Sequence, residues 1–342
     1  MPFGGNDWLA LTPEPALEPD LPICDPHHHF WDMRLARVPY QRYLLPDLLR
    51  DVEGHNVRST VFIETRSMYR VDGPEEMRSV GEVEFVQGIA AASASGLYGP
   101  IRAAAGIVGY VDLRLGERVE PVLHALRAAS PNRFRGIRNI VTWDPHPEVE
   151  RIRTDTEPGQ LAGESFRAGA RVMARMGLSL DVLVYFPQLL ELAEFARAVP
   201  DLSIVLNHMG GLLRHGPYAN RDAEVMEQWR TGLAAVAQCP NVTVKVGGIG
   251  QPRTGFDWST REQPIGSEEL ADSMSPIMTT CIEQFGPDRC MFESNFPPDK
   301  VGYSYNVLYN ALKRLSAGYS PAERAALFHD TAARVYRIDE TV

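Results

Sequence analysis

The sequence predicts an α/β fold, a (β/α)8 TIM barrel with an extra C-terminal helix. Three observations predict it. Eight short apolar runs alternate with helical or long-loop sequence, the order expected of parallel strands joined by crossover helices. The chain has 342 residues, room for such a barrel, about 250 residues in its usual form, plus insertions. No Gly-rich phosphate turn follows the first run, as an open doubly wound sheet would normally show.

The elements follow in order. ICDPHHHF is the first strand and VRSTVFIET (57–65) the second, followed by helical sequence over 75–95. IRAAAGIVGYVDL (101–113) leads to a helix over 118–129 that stops before Pro131, and FRGIRNIV (134–141) to a loop and a helix over 164–176. Gly177 suits the end of that helix because glycine accepts the left-handed conformation. LSLDVLVYF (178–186), LSIVLNHMG (202–210) and VTVKVGGIG (242–250) precede helices over 188–198, 223–238 and 268–285, and RCMFESNF (289–296) is the last strand. The final stretch, SPAERAALFHDTAARVYRI, begins with Ser320 as N-cap, Pro321 in the first turn and Glu323 completing a capping box. Residues 1–20, acidic and proline-bearing, read as a flexible leader to a single barrel domain over 21–342.

Composition narrows the function. Hydrophobic residues are 44% of the chain, enough for a full core. No apolar run approaches the roughly 20 residues of a membrane-crossing helix, and the N-terminus lacks the pattern of a signal peptide. The net charge of -10 comes without a Lys/Arg run, which argues against nucleic-acid or membrane partners. Cys24, Cys239, Cys281 and Cys290 form no C-x-x-C pair and read as reduced thiols of a cytoplasmic protein, with Cys24 packed beneath the site. A small-molecule substrate is the expected partner, and assembly into a homo-oligomer is left open.

Chemistry in such barrels gathers at the C-terminal strand ends. His27 and His29 end the first strand on the same face and His28 on the other, so H-x-H sets two imidazoles on one pocket wall. That suits a divalent metal or a polar substrate. His208 ends the sixth strand ahead of Gly210-Gly211, which let backbone approach a ligand. Glu64 and Arg66 end the second strand; Arg138 and Lys245 lie within the fourth and seventh. Substrate contact and a buried ion pair are both open for Arg138 and Lys245. His55, His124, His146, His215 and His329 are expected outside the site, with His215 the nearest to it.

DPHHHFWD, LNHMGG, MFESNFPPDK and LFHDTAARVYRI, in this order, resemble the amidohydrolase superfamily. More narrowly they resemble its branch of sugar-lactone and 2-pyrone-4,6-dicarboxylate lactonases. The resemblance spans roughly residues 23–338 and implies a distorted barrel. It matches His27 and His29 to the family's H-x-H and His208 to its sixth-strand histidine. Relatives hold one or two divalent ions, or none. Here His27, His29 and His208 suffice for one ion, zinc or manganese, while LVYFPQ at the fifth strand offers no further histidine for a second. Where the family ends its last strand on an aspartate, this chain has Asn295, which cannot act as general base. Asp299 and Glu293 are the replacement candidates, followed by Glu64; His208 or the H-x-H pair could serve without metal.

The resemblance implies a hydrolase that opens a lactone, or a related cyclic ester or amide, of a small polar or carboxylated substrate with activated water. Arg66, Arg138, Lys245 and Glu64 would hold that substrate. One alternative is a metal-dependent decarboxylase of aromatic acids, with Phe30, Trp31 and Phe296 to stack on them. A second is a ligand-binding barrel whose catalysis was lost with the aspartate.

Overall fold

The computed structural model describes residues 5–33 and 40–339. Eight strands form one all-parallel sheet in chain order: β1 (Ile23–His28), β2 (Val57–Ile63), β3 (Arg102–Gly109), β4 (Phe134–Ile140), β5 (Ser179–Leu183), β6 (Ser203–Leu206), β7 (Val242–Val246) and β8 (Cys290–Phe292). The ring closes just beyond the strands. The Asn295 amide donates to His27 O and the His29 amide to Phe296 O, both at 2.8 Å, and His28 bridges Phe296. The side chain of Asp25 supports this seam, accepting from the Ser294 amide at 3.1 Å and from Tyr305 OH at 3.2 Å. Burial pushes its pKa up to about 6.

Each strand is followed by a helix: α1 (Leu45–Asp51), α2 (Val80–Ala94), α3 (Val119–Ala129), α4 (Glu164–Arg175), α5 (Leu189–Ala198), α6 (Asp222–Ala237), α7 (Ser267–Phe285) and α8 (Tyr305–Leu315). α2 to α7 lie where the sequence places them, and Gly177 has φ 65°. α1 and α8 were not foreseen, although Ser304 caps α8 by accepting from the Val307 amide and Lys313-Arg314 complement its C-terminal dipole. No helix of the described residues is long and apolar enough to cross a membrane.

Two cores result. Large side chains of the helices pack on the outside of the sheet. Inside the barrel, Cys24, Val61, Ile63, Val108, Val205 and Met291 form a second cluster, so Cys24 packs as expected. The C-terminal run (Pro321–Ala325, a π turn over Ala326–Asp330, then Thr331–Val335) plugs the barrel's N-terminal end with Ala332 and Tyr336. Its capping box forms as read: Ser320 Oγ accepts from the Glu323 amide and Glu323 accepts from the Ser320 amide.

The described part of the leader makes hydrogen bonds to the barrel. Trp8 Nε1 donates to Arg261 O at 3.1 Å, Thr12 Oγ1 to Pro264 O at 2.9 Å and the Leu17 amide to Asn310 Oδ1 at 2.8 Å. Two of these donors are side chains, Trp8 and Thr12, and one is the Leu17 backbone amide.

Glu82, buried in α2, fixes the loop after β2. One carboxylate oxygen accepts from the Thr65 amide at 2.9 Å and the Ser67 amide at 2.8 Å. Burial, reinforced by the charge of Glu64, pushes its pKa up to about 7. Because the folded state binds this proton more tightly, its contribution to stability is complete below the unfolded carboxyl pKa of about 4.5 and is lost as pH rises through about 7. Glu82→Gln, which keeps the accepting oxygen, should therefore gain on the wild type between pH 5 and pH 8, by roughly 3 kcal/mol at most. Urea unfolding at the two pH values measures it.

Candidate active site

A cavity of ≈ 290 Å3 opens at the C-terminal strand ends, lined among others by His29, Trp31, Arg138, Arg153, His208 and Asn295. Alternation along β1 sends His28 away from it. Its Nε2 meets Thr60 Oγ1 at 2.7 Å, its ring packs on Phe30 and Phe62, and burial lowers its pKa to about 3. His27, His29 and His208 come together as expected: the His27 ring stacks on His208 at 4.7 Å and meets His29 edge-on at 5.0 Å.

Glu293 organises the three. Its Oε1 lies 2.7 Å from His208 Nδ1 and accepts the His208 backbone amide at 3.2 Å, while Oε2 stands 2.6 Å from His27 Nδ1. On the far side of His27, Nε2 faces an Arg138 N–H at 3.3 Å. A guanidinium only donates, so that Nε2 is a lone pair and the proton sits on Nδ1 toward Glu293. His29 Nδ1 lies 2.8 Å from Ile63 O, which only accepts, so this ring also carries its proton on Nδ1. Burial first, then the neighbouring cations Lys245 for His27 and Arg138 for His29, holds both rings well below the usual imidazole pKa. Both are neutral.

The backbone here is unusual. His208 and Asn295 both have φ 53° and Met209 φ 51°, a left-handed conformation that costs a side-chain-bearing residue energy and clusters at functional sites. Trp229 Nε1 pins the first of these turns by donating to Met209 O at 2.8 Å. Glycines make the room: a Cβ on Gly248 (φ 70°) would lie 1.9 Å from His208 Nδ1, and one on Gly247 2.6 Å from Glu293 Cγ.

The remaining candidates separate. Asn295 Nδ2 donates to Asp299 Oδ1 at 2.7 Å, and Asp299 Oδ2 accepts from the Gly250 amide at 2.8 Å and Tyr303 OH at 3.0 Å. Burial raises the Asp299 pKa, but the group lies behind Asn295 instead of folding over the pocket. Glu64 is held by Arg138 at 3.0 Å and Arg153 at 3.2 Å; against its burial, Arg153 and Arg138 pull its pKa below the usual value. It positions Arg138 and makes a poor base. Two expectations are corrected. Lys245 is fully buried, 2.6 Å from Asp181 Oδ1, because an ammonium inside a strand must be neutralised there; it does not reach the cavity. Arg66 turns into a neighbouring cavity, over the Tyr110 ring and 3.1 Å from Asp155.

Sequence reasoning missed Arg153 and Arg253, which line the cavity from the loops after β4 and β7. No carboxylate lies within ion-pair distance of Arg253 among the described residues. His215, the one outlying histidine singled out, fixes that loop through Nδ1 to Arg253 O at 3.1 Å. The run VKVGGIGQPRTG carried a signal, glycines next to an arginine, without saying what they adjoin.

The donors also fit one divalent ion. His27, His208 and Glu293 offer ligand atoms within 4.8 Å of one another, but His27 Nδ1 and His208 Nδ1 already face the Glu293 carboxylate, which leaves His208 Nε2 and His29 Nε2 as the imidazole donors. His29 and His208 have Nδ1 committed to an oxygen, the arrangement that orients metal-binding imidazoles. His29 Nε2 and Asn295 Oδ1, both lone-pair atoms, face each other at 3.3 Å, a contact that a cation would relieve.

Gly248→Ala should force the His208 ring aside and, since misplacement by about 1 Å can cost a hundredfold, lower kcat about a hundredfold. Retained kcat in a kinetic assay would show that the ring tolerates the displacement.

The amidohydrolase family model matches residues 24–338. The uncharacterized protein y4mH of Sinorhizobium fredii is 32% identical over 93% of this chain and 99% of its own length. An L-fucono-1,5-lactonase of Burkholderia multivorans is 25% identical over 92% of this chain and 96% of its own. An amidohydrolase of Burkholderia multivorans, solved with bound zinc, has TM-score 0.70 at 24% identity, over 93% of this chain and 99% of that one. The chain belongs to the amidohydrolase family, as a hydrolase on a (β/α)8 barrel.

Proposed function

We propose that this hydrolase opens a small lactone bearing a carboxylate or other polar substituents. The observation that carries the proposal is the Glu293–His208 pair, at 2.7 Å, set in a cavity that Arg153 and Arg253 also line. The likeness to an L-fucono-1,5-lactonase over most of both chains supports the ring-opening chemistry.

Arg253 and Arg153 hold the substrate's anionic or hydroxyl groups and place its ring carbonyl beside His208. Water attacks the carbonyl carbon while His208 Nε2 takes its proton, and Glu293 on Nδ1 stabilises the imidazolium that forms. With their protons on Nδ1, His27 and His29 present lone pairs, so they cannot donate to the oxyanion. Arg138, which lines the cavity, is the donor available. As the tetrahedral intermediate collapses, the ring C–O bond breaks. The departing alkoxide takes the proton from His208, leaving a hydroxy acid.

A zinc or manganese ion held by His29, His208 and Asn295, without the His27 expected from the sequence because its two nitrogens face Arg138 and Glu293, would supply a water with pKa lowered toward about 7. His208 Nε2 can hold an ion or accept a proton, and metal content decides which. In a screen of sugar and dicarboxylate lactones, His208→Asn should reduce turnover by about a thousandfold or more, with an unchanged melting temperature. Activity that survives exhaustive chelation identifies His208 as the base. One equivalent of metal, with activity lost on chelation and restored by zinc or manganese, identifies it as a ligand. Arg253→Ala should raise KM about tenfold for a carboxylated lactone and change kcat less, because an anchor remote from the reacting bond contributes mainly uniform binding. Full activity in His208→Asn would sink the mechanism.

A further inference from the structure

The opposite end of the barrel carries a larger cavity, ≈ 680 Å3, that the proposed chemistry does not use. Three neighbouring strands each begin with an arginine in their first two positions: Arg58 in β2, Arg102 in β3 and Arg135 in β4. With Arg133 all four line this cavity, and Asp339 is its only carboxylate among the described residues. Distant in sequence, they form no basic run, and only the fold brings them together.

The guanidinium groups of Arg102, Arg133 and Arg135 spend their hydrogen bonds on neutral oxygens. Arg102 donates to Ala94 O at 3.4 Å, Arg133 to Gln87 Oε1 at 3.1 Å and Arg135 to Asn132 O at 2.7 Å. No carboxylate lies within ion-pair distance of these three among the described residues. Arg135 Nε is buried without a partner. Burial and then the positive charge of Arg102 push the pKa of Arg133 down; burial, Arg337 and Arg133 do the same to Arg135. Like charges are thus crowded around a space floored by Ala90, Ala94 and Ala103, in a chain of net charge -10.

We propose that this cavity at the barrel's N-terminal end binds a small molecule through a phosphate group. Forked guanidinium donors converging from several strands match a multiply charged oxyanion with several acceptor oxygens. A single concavity, in place of a basic stripe, fits a small ligand and not a nucleic-acid backbone.

Calorimetric titration with inorganic pyrophosphate tests it, on the wild type, Arg102→Gln/Arg133→Gln and Arg253→Ala. Binding at one site should weaken about tenfold or more in the double variant and stay unchanged in Arg253→Ala. Pyrophosphate should raise the melting temperature of the wild type and not of the double variant. Arg102→Gln alone, which loses one long hydrogen bond, should fold normally and weaken binding in the same direction. Absence of saturable binding to the wild type would overturn the proposal, as would binding weakened only by Arg253→Ala, which would place the anion in the catalytic cavity.

Discussion

Glu293 is the group on which the rest of the site depends. A carboxylate with no exposed surface is costly unless it is paired, and here Oε1 accepts from the His208 ring and backbone amide while Oε2 stands 2.6 Å from His27 Nδ1. That sharing fixes the tautomer of His208 and, with Arg138 opposite, of His27. It also explains the glycines that follow β7, since side chains at 247 and 248 would collide with Glu293 and His208. The strained turn at His208 is held by the same carboxylate. Remove the charge and two rings, one turn and the reason for the glycines lose their common support.

Beneath it lies a second charged layer that never meets substrate. Asp181 receives Lys245 at 2.6 Å, Asn207 Nδ2 at 3.0 Å and Tyr336 OH at 2.9 Å, joining three strands to the C-terminal plug. Burial and the Lys245 charge together keep His27 neutral. The ring's closing joint involves His27, His29 and Asn295, so the bonds that close the ring also set these residues side by side.

Much of this was legible in the sequence because it follows from period and order. Alternation of strands and helices gave the barrel, and the period of two put His27 and His29 together and His28 apart. Other parts depend on pairing across the ring, which local sequence does not encode. Arg66, ending the second strand, and Lys245, within the seventh, carry the right chemistry, but Asp155 and Asp181, far along the chain, claim them. Arg153 and Arg253 ride on loops whose conformation no periodicity dictates. α8 was overlooked although its Ser304 cap was visible in the sequence. Gly247 and Gly248 were read as strand ending; only the side chains they adjoin show why nothing larger fits.

The most direct test of the account is nitrogen NMR of the imidazole rings in protein labelled at histidine. The tautomers inferred from Glu293, Arg138 and Ile63 predict that His27, His29 and His208 all carry their proton on Nδ1 at neutral pH. In Glu293→Gln the spectra of His27 and His208 should change while that of His29, anchored on Ile63, stays. Protons found on Nε2 of His27 or His208 in the wild type would contradict it, because Glu293 would then not be the group that sets the site.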